Sequence, residues 1–120
     1  MNKKTVVIGA SAKQDRYSNR AVRMLTKNSH EAIALGFEDA LIDDIPIQSD
    51  WKHIDGVDTV TLYLNPQRQK EYYDYILSLK PKRIIFNPGT ENAEFEQLAK
   101  INNIQSLEAC TLVLLSINQY

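Results

Sequence analysis

Short apolar runs alternate with amphipathic stretches along this chain, a pattern that predicts alternating strands and helices. The first run, Thr5–Ile8, is β-branched throughout, as expected of a strand buried on both faces of a parallel sheet. From Ser18 to about Asn28, apolar residues recur at three- and four-residue spacing, which predicts a helix with Ser18 as its N-cap. Glu31–Leu35 predicts a second strand, which Gly36 ends.

The second half of the chain repeats this alternation more clearly. Residues 56–64 predict a third strand, and the Asn65-Pro66 pair after it is typical of a helix start, because Asn caps helices and Pro fits the first helical position. That helix is predicted over 67–79. A fourth strand is predicted at 83–86 and a fifth at 104–107. The helix between them is capped by Thr90 or Asn92 and carries Phe95, Leu98 and Ile101 on one face. A final buried helix is predicted to begin within 109–115.

The segment between residues 37 and 55 gives the least regular pattern. Its isoleucines, Ile42, Ile45 and Ile47, favour one short extended piece. Ser49 could cap a turn of helix that reaches Trp51. The five strands of the predicted sheet are taken from the other runs of the chain.

Five strands that alternate with helices predict an α/β fold with a doubly wound, parallel five-stranded sheet and helices on both faces. The most economical arrangement is the Rossmann-like strand order 3-2-1-4-5. Its switch point lies between strands 1 and 4, and ligands of such folds bind outside the carboxyl ends of the strands at that point.

Composition narrows the class of protein without choosing a function. The 120 residues fit one domain, predicted as 1–120, with 43% apolar and 24% charged residues. A net charge of -1 gives no reason to expect a nucleic-acid or membrane-surface protein, and no apolar run approaches the roughly 18 residues of a membrane span. The single cysteine, Cys110, excludes an internal disulfide and fits a reducing compartment. We therefore expect a soluble, cytoplasmic protein.

The loop after the first strand carries the clearest functional signal. Gly9 ends that strand, and the loop then presents Ser11, Lys13, Arg16 and Ser18 before the first helix. Backbone N–H groups and the helix dipole make such a place an anion site. Hydroxyls and cations suit a phosphate ligand, because charge-assisted hydrogen bonds are about twice as strong as neutral ones. The alternative is that the cations are simply solvated.

Two common nucleotide motifs fit this loop poorly. A dinucleotide fingerprint requires G-x-G-x-x-G, but Ser11 stands where the second glycine belongs. It also needs an acidic residue at the tip of strand 2, where this chain has Leu35-Gly36-Phe37, with Glu38 beyond the tip. The chain contains no G-x-x-x-x-G-K-[ST] phosphate loop either.

Four stretches of the chain form a recognisable set of motifs: Gly9-Ala-Ser-Ala-Lys13…Arg16-Tyr-Ser18-Asn-Arg20-Ala, Asn65-Pro66, Asn87-Pro88-Gly89-Thr-Glu-Asn92 and Glu108-Ala-Cys110. With these motifs the sequence resembles the small stand-alone CoA-binding domain proteins, whose Rossmann-like fold is similar to the N-terminal domain of the succinyl-CoA synthetase α subunit. The resemblance covers nearly the whole chain.

This resemblance implies coenzyme A or an acyl-CoA as the ligand, with its diphosphate at the N-terminus of the first helix and its adenine between the ends of strands 1 and 2. The residues implied for the phosphates are Gly9, Ala10, Ser11, Lys13, Arg16 and Ser18. Leu35 and Gly36 would line the adenine pocket, and Tyr63, Leu64 and Asn87 would face the pantetheine.

No catalytic or metal-binding set emerges from the sequence. His30 and His53 show no metal-ligand spacing with each other or with Cys110, which is expected to pack as a small apolar side chain. We therefore predict a binding protein without evident catalysis. A small NAD(P)-dependent oxidoreductase or an acyl-CoA-using enzyme stays open as the alternative, and so does association as a homodimer or with a partner enzyme.

Overall fold

The computed structural model describes residues 2–120, which form a sheet flanked by helices. Its strands are β1 (Thr5–Ile8), β2 (Ala32–Leu35), β3 (Ala40–Ile42), β4 (Ile45–Gln48), β5 (Thr59–Leu62), β6 (Arg83–Phe86) and β7 (Gln105–Glu108). Its helices are α1 (Tyr17–Lys27), α2 (Pro66–Gln69), α3 (Tyr73–Ser78), α4 (Ala93–Ile101) and α5 (Thr111–Ser116). The α/β class predicted from the sequence is confirmed.

The predicted five-stranded order 3-2-1-4-5 is wrong. The described residues form seven strands in the order β3-β4-β2-β1-β5-β6-β7, and every pair is parallel except β3 with β4. Because β4 occupies the place beside β2, the Thr59–Leu62 strand pairs directly with β1. The six parallel strands thus follow the order 3-2-1-4-5-6 of doubly wound folds. The switch point lies between β1 and β5, and β6 is one strand further away.

Both unexpected strands come from the irregular segment. They are short, and Pro46 lies inside β4, where a proline normally argues against a central strand. Pro46 is tolerated because it is paired with β3 alone, before β4 reaches its pairing with β2. The hairpin turns at Asp43, whose φ of 54° is a conformation that Asp adopts readily. The helical turn predicted from Ser49 does not form.

The helices differ from the predictions at three places. The N-cap of α1 is Arg16, and Ser18 instead lies buried in the first turn, because the backbone is still extended at Arg16 (ψ 141°). The predicted helix over 67–79 is divided by a 3-10 turn at Lys70–Tyr72. In α4, Ile101 is 67% exposed and does not share the buried face of Phe95.

Two of the proposed helix caps are confirmed by their hydrogen bonds. The side chain of Asn65 accepts a hydrogen bond from the Arg68 N–H at 2.9 Å, and Asn92 accepts one from the Phe95 N–H at 3.1 Å. Asn65 therefore fixes the start of α2 at the carboxyl edge of β5, and Asn92 fixes α4 beside the end of β6.

The two faces of the sheet are covered by different helices. Val7 packs under α1 and α5 with Val22, Leu25 and Leu115. On the opposite face, Val6 and Ile8 belong to a larger core with α3 and α4. All residues of β1 and β5 are fully buried, so these strands form a fixed platform below the switch point. Across residues 2–120, no helix combines the length and the hydropathy needed to cross a bilayer.

Candidate functional site

A cleft of about 660 Å³ opens at the carboxyl edge of the sheet, where β1 and β5 meet. This volume is in the range of small-molecule sites, and the switch point is where doubly wound folds bind ligands. The lining residues are Gly9, Ala10, Ser11, Lys13, Arg16, Tyr17, Ser18, Phe37, Glu38, Tyr63, Leu64, Asn65, Arg68, Pro88, Gly89 and Thr90. A second cavity of about 890 Å³ lies at the amino edge and includes none of the residues nominated from the sequence.

Glycine is required at position 9 for the first loop to leave β1. Gly9 has φ 95°, a conformation that other residues rarely adopt. A Cβ at this position would lie 3.1 Å from Leu64 Cδ2 and 3.2 Å from the Tyr63 carbonyl. The Gly9 and Ala10 N–H groups both donate to the Leu35 carbonyl at 2.9 Å. The loop is therefore pressed between the ends of β2 and β5.

Gly36 supports the first loop from the β2 side. A Cβ on Gly36 would lie 2.6 Å from the Ala10 carbonyl oxygen and 2.8 Å from Ile47 Cγ2. Only glycine permits so close an approach of the two backbones. Gly36 is itself buried and is not part of the cleft wall, so its direct contribution is to the position of Ala10.

A buried asparagine ties the rest of the first loop to α1. Asn19 is 2% exposed, and its amide donates to the Ser11 carbonyl at 2.9 Å. Its Oδ1 accepts from Arg23 Nε at 2.8 Å, and Arg23 also donates to the Gln14 carbonyl at 3.1 Å. The loop is thus held at two points by side chains of the helix that follows it.

The N-terminus of α1 faces the cleft with unused donors. The N–H groups of Tyr17, Ser18 and Asn19 have no backbone partner among the described residues, no side chain caps the helix, and its first turn holds no acidic residue. Lys13 and Arg16 also line the cleft and form no ion pair with any carboxylate of the described chain. Donors, dipole and cations together form an anion site.

The opposite rim carries two residues that sequence reasoning missed. Phe37 follows β2 and is 45% exposed, and Arg68 lies in α2 with its guanidinium carbon 4.1 Å from the Phe37 ring centroid. Glu38 stands next to Phe37 on this rim. One feature of the sequence could have indicated Arg68 as a site residue, because it is a cation in the first turn of a helix that starts at the carboxyl edge of the sheet.

Of the three residues nominated to face the pantetheine, two line the cleft and one does not. Tyr63 and Leu64 line the cleft. Asn87 is 2% exposed and lies outside the lining, because protein groups use its amide completely. Its Nδ2 donates to Thr61 Oγ1 at 2.6 Å and to the Leu62 carbonyl at 2.8 Å, and its Oδ1 accepts from the Thr111 N–H at 2.9 Å.

Leu35, nominated for the adenine pocket, also lies outside the cleft. Its side chain is fully buried in the larger core. Only its carbonyl reaches the first loop, where it accepts the two hydrogen bonds from Gly9 and Ala10. Leu35 therefore shapes the loop from below.

Among the described residues, the ionisable side chains that line the cleft form no ion pair with one another. Desolvation raises the pKa of Tyr63, whose buried hydroxyl has no hydrogen-bond partner among the described residues, so the phenol stays protonated at neutral pH. Cys110 is a half-buried free thiol at the start of α5. In the described part of the chain, no group of three His, Cys, Asp or Glu side chains is placed to hold a metal ion.

Residues 3–116 match the family model described as the CoA binding domain. The chain belongs to this family. The match covers every residue that lines the cleft and all seven strands of the sheet, and it supports coenzyme A binding in general. No curated protein matches the chain.

Solved structures share the fold of this chain. A crystal structure of an uncharacterized protein shares 46% identity at a TM-score of 0.97 and covers 100% of this chain and 99% of its own. A hypothetical protein from Pyrococcus horikoshii OT3 shares 20% identity at 0.83 and covers 92% of this chain and 80% of its own. A Thermus thermophilus protein shares 20% identity at 0.82, with coverages of 98% and 91%. The last two show the fold alone.

Proposed function

We propose that this protein binds coenzyme A in the switch-point cleft, with the diphosphate at the N-terminus of α1. One observation carries the proposal: the first three N–H groups of α1 have no backbone partner in the described chain, and Tyr17 and Ser18 line a cleft that also contains Lys13 and Arg16. Phosphates are the ligands that such a combination favours, because each N–H and each cation supplies a charge-assisted hydrogen bond. The family match points to the same ligand class.

The cleft walls suggest how the rest of the molecule is accommodated. The phosphates would contact Ser11, Lys13, Arg16 and Ser18 from the α1 side, with the backbone of Gly9 and Ala10 below them. The adenosine end would lie toward Phe37, which follows Gly36. The pantetheine arm would run over Tyr63 and Leu64 toward the loop at 88–90. Leu35 and Asn87 would act indirectly, by fixing the loops from within the core.

We also propose that the protein binds without turnover, as a carrier, sensor or subunit of a larger enzyme. The described cleft offers no base beside the pantetheine end: Tyr63 has a raised pKa, and Asn87 is engaged in the core. Incubation of acetyl-CoA with the protein should release free thiol at the buffer rate. Faster release that depends on protein concentration would contradict this part of the proposal.

A second candidate ligand is favoured by one observation. Glu38 lines the cleft even though it lies beyond the tip of strand 2. A carboxylate on this rim could accept hydrogen bonds from ribose hydroxyls, as the acidic residue of dinucleotide-binding folds does. A nicotinamide dinucleotide is therefore the competitor to test against coenzyme A.

Thermal unfolding with each ligand distinguishes the two. At about 100 times its dissociation constant, a ligand stabilises the folded state by roughly 2.7 kcal/mol, which corresponds to about 10 °C in Tm for a domain of this size. We expect this shift with coenzyme A, and smaller shifts with NAD(H), NADP(H) and ATP at equal concentration. A clear shift with NAD and none with coenzyme A would overturn the proposal.

A further inference from the structure

Arg68 holds an unusual position for an exposed cation. It reaches from α2 across the mouth of the cleft to Phe37, on the far side of the switch point, where its guanidinium lies 4.1 Å from the ring centroid. In the described chain its side chain makes neither a hydrogen bond nor an ion pair. The guanidinium is thus oriented by the ring, while its donors stay free.

The ring that orients Arg68 is itself fixed. Phe37 contacts Trp51, with centroids 5.6 Å apart, and Tyr72, at 6.0 Å. Trp51 packs on Tyr72 at 4.5 Å, and its Nε1 donates to the Gly36 carbonyl at 2.9 Å. This aromatic cluster ties the rim after β2 to the 3-10 turn that follows α2. Arg68 is therefore placed by a packed wall rather than by a mobile loop.

The cleft consequently has cations on two rims. Lys13 and Arg16 stand beside the open N–H groups of α1, and the guanidinium of Arg68 reaches from α2 to Phe37 on the rim after β2. A ligand with a single anionic region would use the first rim only. A ligand with a second, separate anionic group would use both, because Arg68 would attract that group and offset its repulsion by the Glu38 carboxylate on the second rim.

We propose that Arg68 is a specificity-determining residue that contacts a second phosphate of the ligand, separate from the diphosphate at α1. This inference rests on the proposed function and names the group as the 3′-phosphate of coenzyme A. An adenosine placed toward Phe37 would bring its ribose to the part of the cleft where Arg68 lies, since the guanidinium carbon is 4.1 Å from the Phe37 ring centroid. Arg68 then distinguishes coenzyme A from dephospho-coenzyme A, which carries a hydroxyl there.

The test is the ratio of the two dissociation constants, measured by titration calorimetry at fixed ionic strength. For the wild-type protein, dephospho-coenzyme A should bind about tenfold more weakly than coenzyme A, a typical value for one partly solvated charge-assisted contact. Arg68→Ala should lower this ratio to about one, mainly by weakening coenzyme A. Lys70→Ala is the matched control, because it removes an exposed cation two residues away that does not line the cleft.

Phe37 supplies an independent variant. Phe37→Leu should lower the ratio toward one by releasing the guanidinium, while Phe37→Tyr should keep it near the wild-type value. A ratio that Arg68→Ala leaves at the wild-type value would overturn the assignment of Arg68 while leaving coenzyme A binding intact. Failure of the wild-type protein to bind either compound would overturn the proposed function and this inference with it.

Discussion

Removing the two cations beside α1 tests the phosphate assignment directly. In the double variant Lys13→Ala/Arg16→Ala, the open N–H groups of the helix stay in place, and only the side-chain charges are lost. Both residues are exposed and take part in no ion pair of the described chain, so the fold should be unaffected. We expect weaker coenzyme A binding and an unchanged free energy of unfolding.

The size of the loss follows from the exposure of these side chains. A hydrogen bond to a charged group contributes about 1.5–3 kcal/mol, and solvent screening reduces an exposed pair to about 1 kcal/mol. Two such contacts amount to about 2 kcal/mol, or a roughly 30-fold increase in Kd. The dependence of Kd on salt should also become shallower, because fewer charges are screened.

Titration calorimetry at two salt concentrations measures both quantities, and urea unfolding checks the stability. Lys27→Ala/Lys100→Ala is the matched control, since it makes the same change in net charge with exposed lysines outside the cleft. Binding by Lys13→Ala/Arg16→Ala that equals the wild type, or an equal loss in the control, would refute the assignment of the phosphates to this loop.

Three further substitutions test how the cleft and its scaffold are held. Gly9→Ala should lower the free energy of unfolding, measured in urea, by about 2 kcal/mol or more. The loss should exceed that of Gly89→Ala, because Gly89 has a similar φ of 91° but no atom within 4 Å of the added Cβ. Equal losses in the two variants would show that the contacts of the added Cβ at Gly9 do not matter. Asn87→Ala should lower the free energy of unfolding by about 3 kcal/mol, because the Leu62 carbonyl and the Thr111 N–H lose their hydrogen bonds to the Asn87 amide. The Kd for coenzyme A, calculated from the concentration of folded protein, should change less than threefold. Desolvation and then the charges of Lys3 and Arg83 lower the pKa of His30, whose neutral Nδ1 accepts the Lys3 N–H at 2.9 Å. The unfolded chain therefore binds this proton more readily, so the free energy of unfolding should fall as pH drops below about 6.5, and His30→Gln should flatten that dependence; an equally steep profile in the variant would contradict the role of His30.

The elements predicted correctly are those whose signals are local. Thr5–Ile8 and Thr59–Leu62 are continuous apolar or β-branched runs and form central strands buried on both faces. Asn65 and Asn92 are caps whose hydrogen bonds span only three residues, so their sequence context is sufficient. Residues of the first loop lie together in the cleft because they are continuous in the chain, and their role toward a phosphate stays a prediction.

The predictions that were wrong depended on tertiary pairing. Ile45–Gln48 is a strand because it pairs with β2 and β3, although Pro46 weakens its local signal. Because β4 takes the position beside β2, Thr59–Leu62 pairs with β1 and not with β2 as predicted. The switch point therefore lies between β1 and Thr59–Leu62.

In the candidate site, too, the features that the sequence could not predict are those that depend on tertiary pairing. Residues at the ends of parallel strands look alike in sequence, so the direction of the Leu35 and Asn87 side chains into the core could not be read without the register. Phe37 and Arg68 meet only because the sheet brings two distant loops together. Their contact has no signature in either stretch of sequence.

Amide chemical shifts during a coenzyme A titration test the central claim most directly. The largest changes are expected at the free N–H groups of Tyr17, Ser18 and Asn19 and in the loop that begins at Gly9. Changes concentrated at the amino-edge cavity, around Lys4 and Asp55, or no changes at a saturating concentration, would contradict binding at the switch-point cleft.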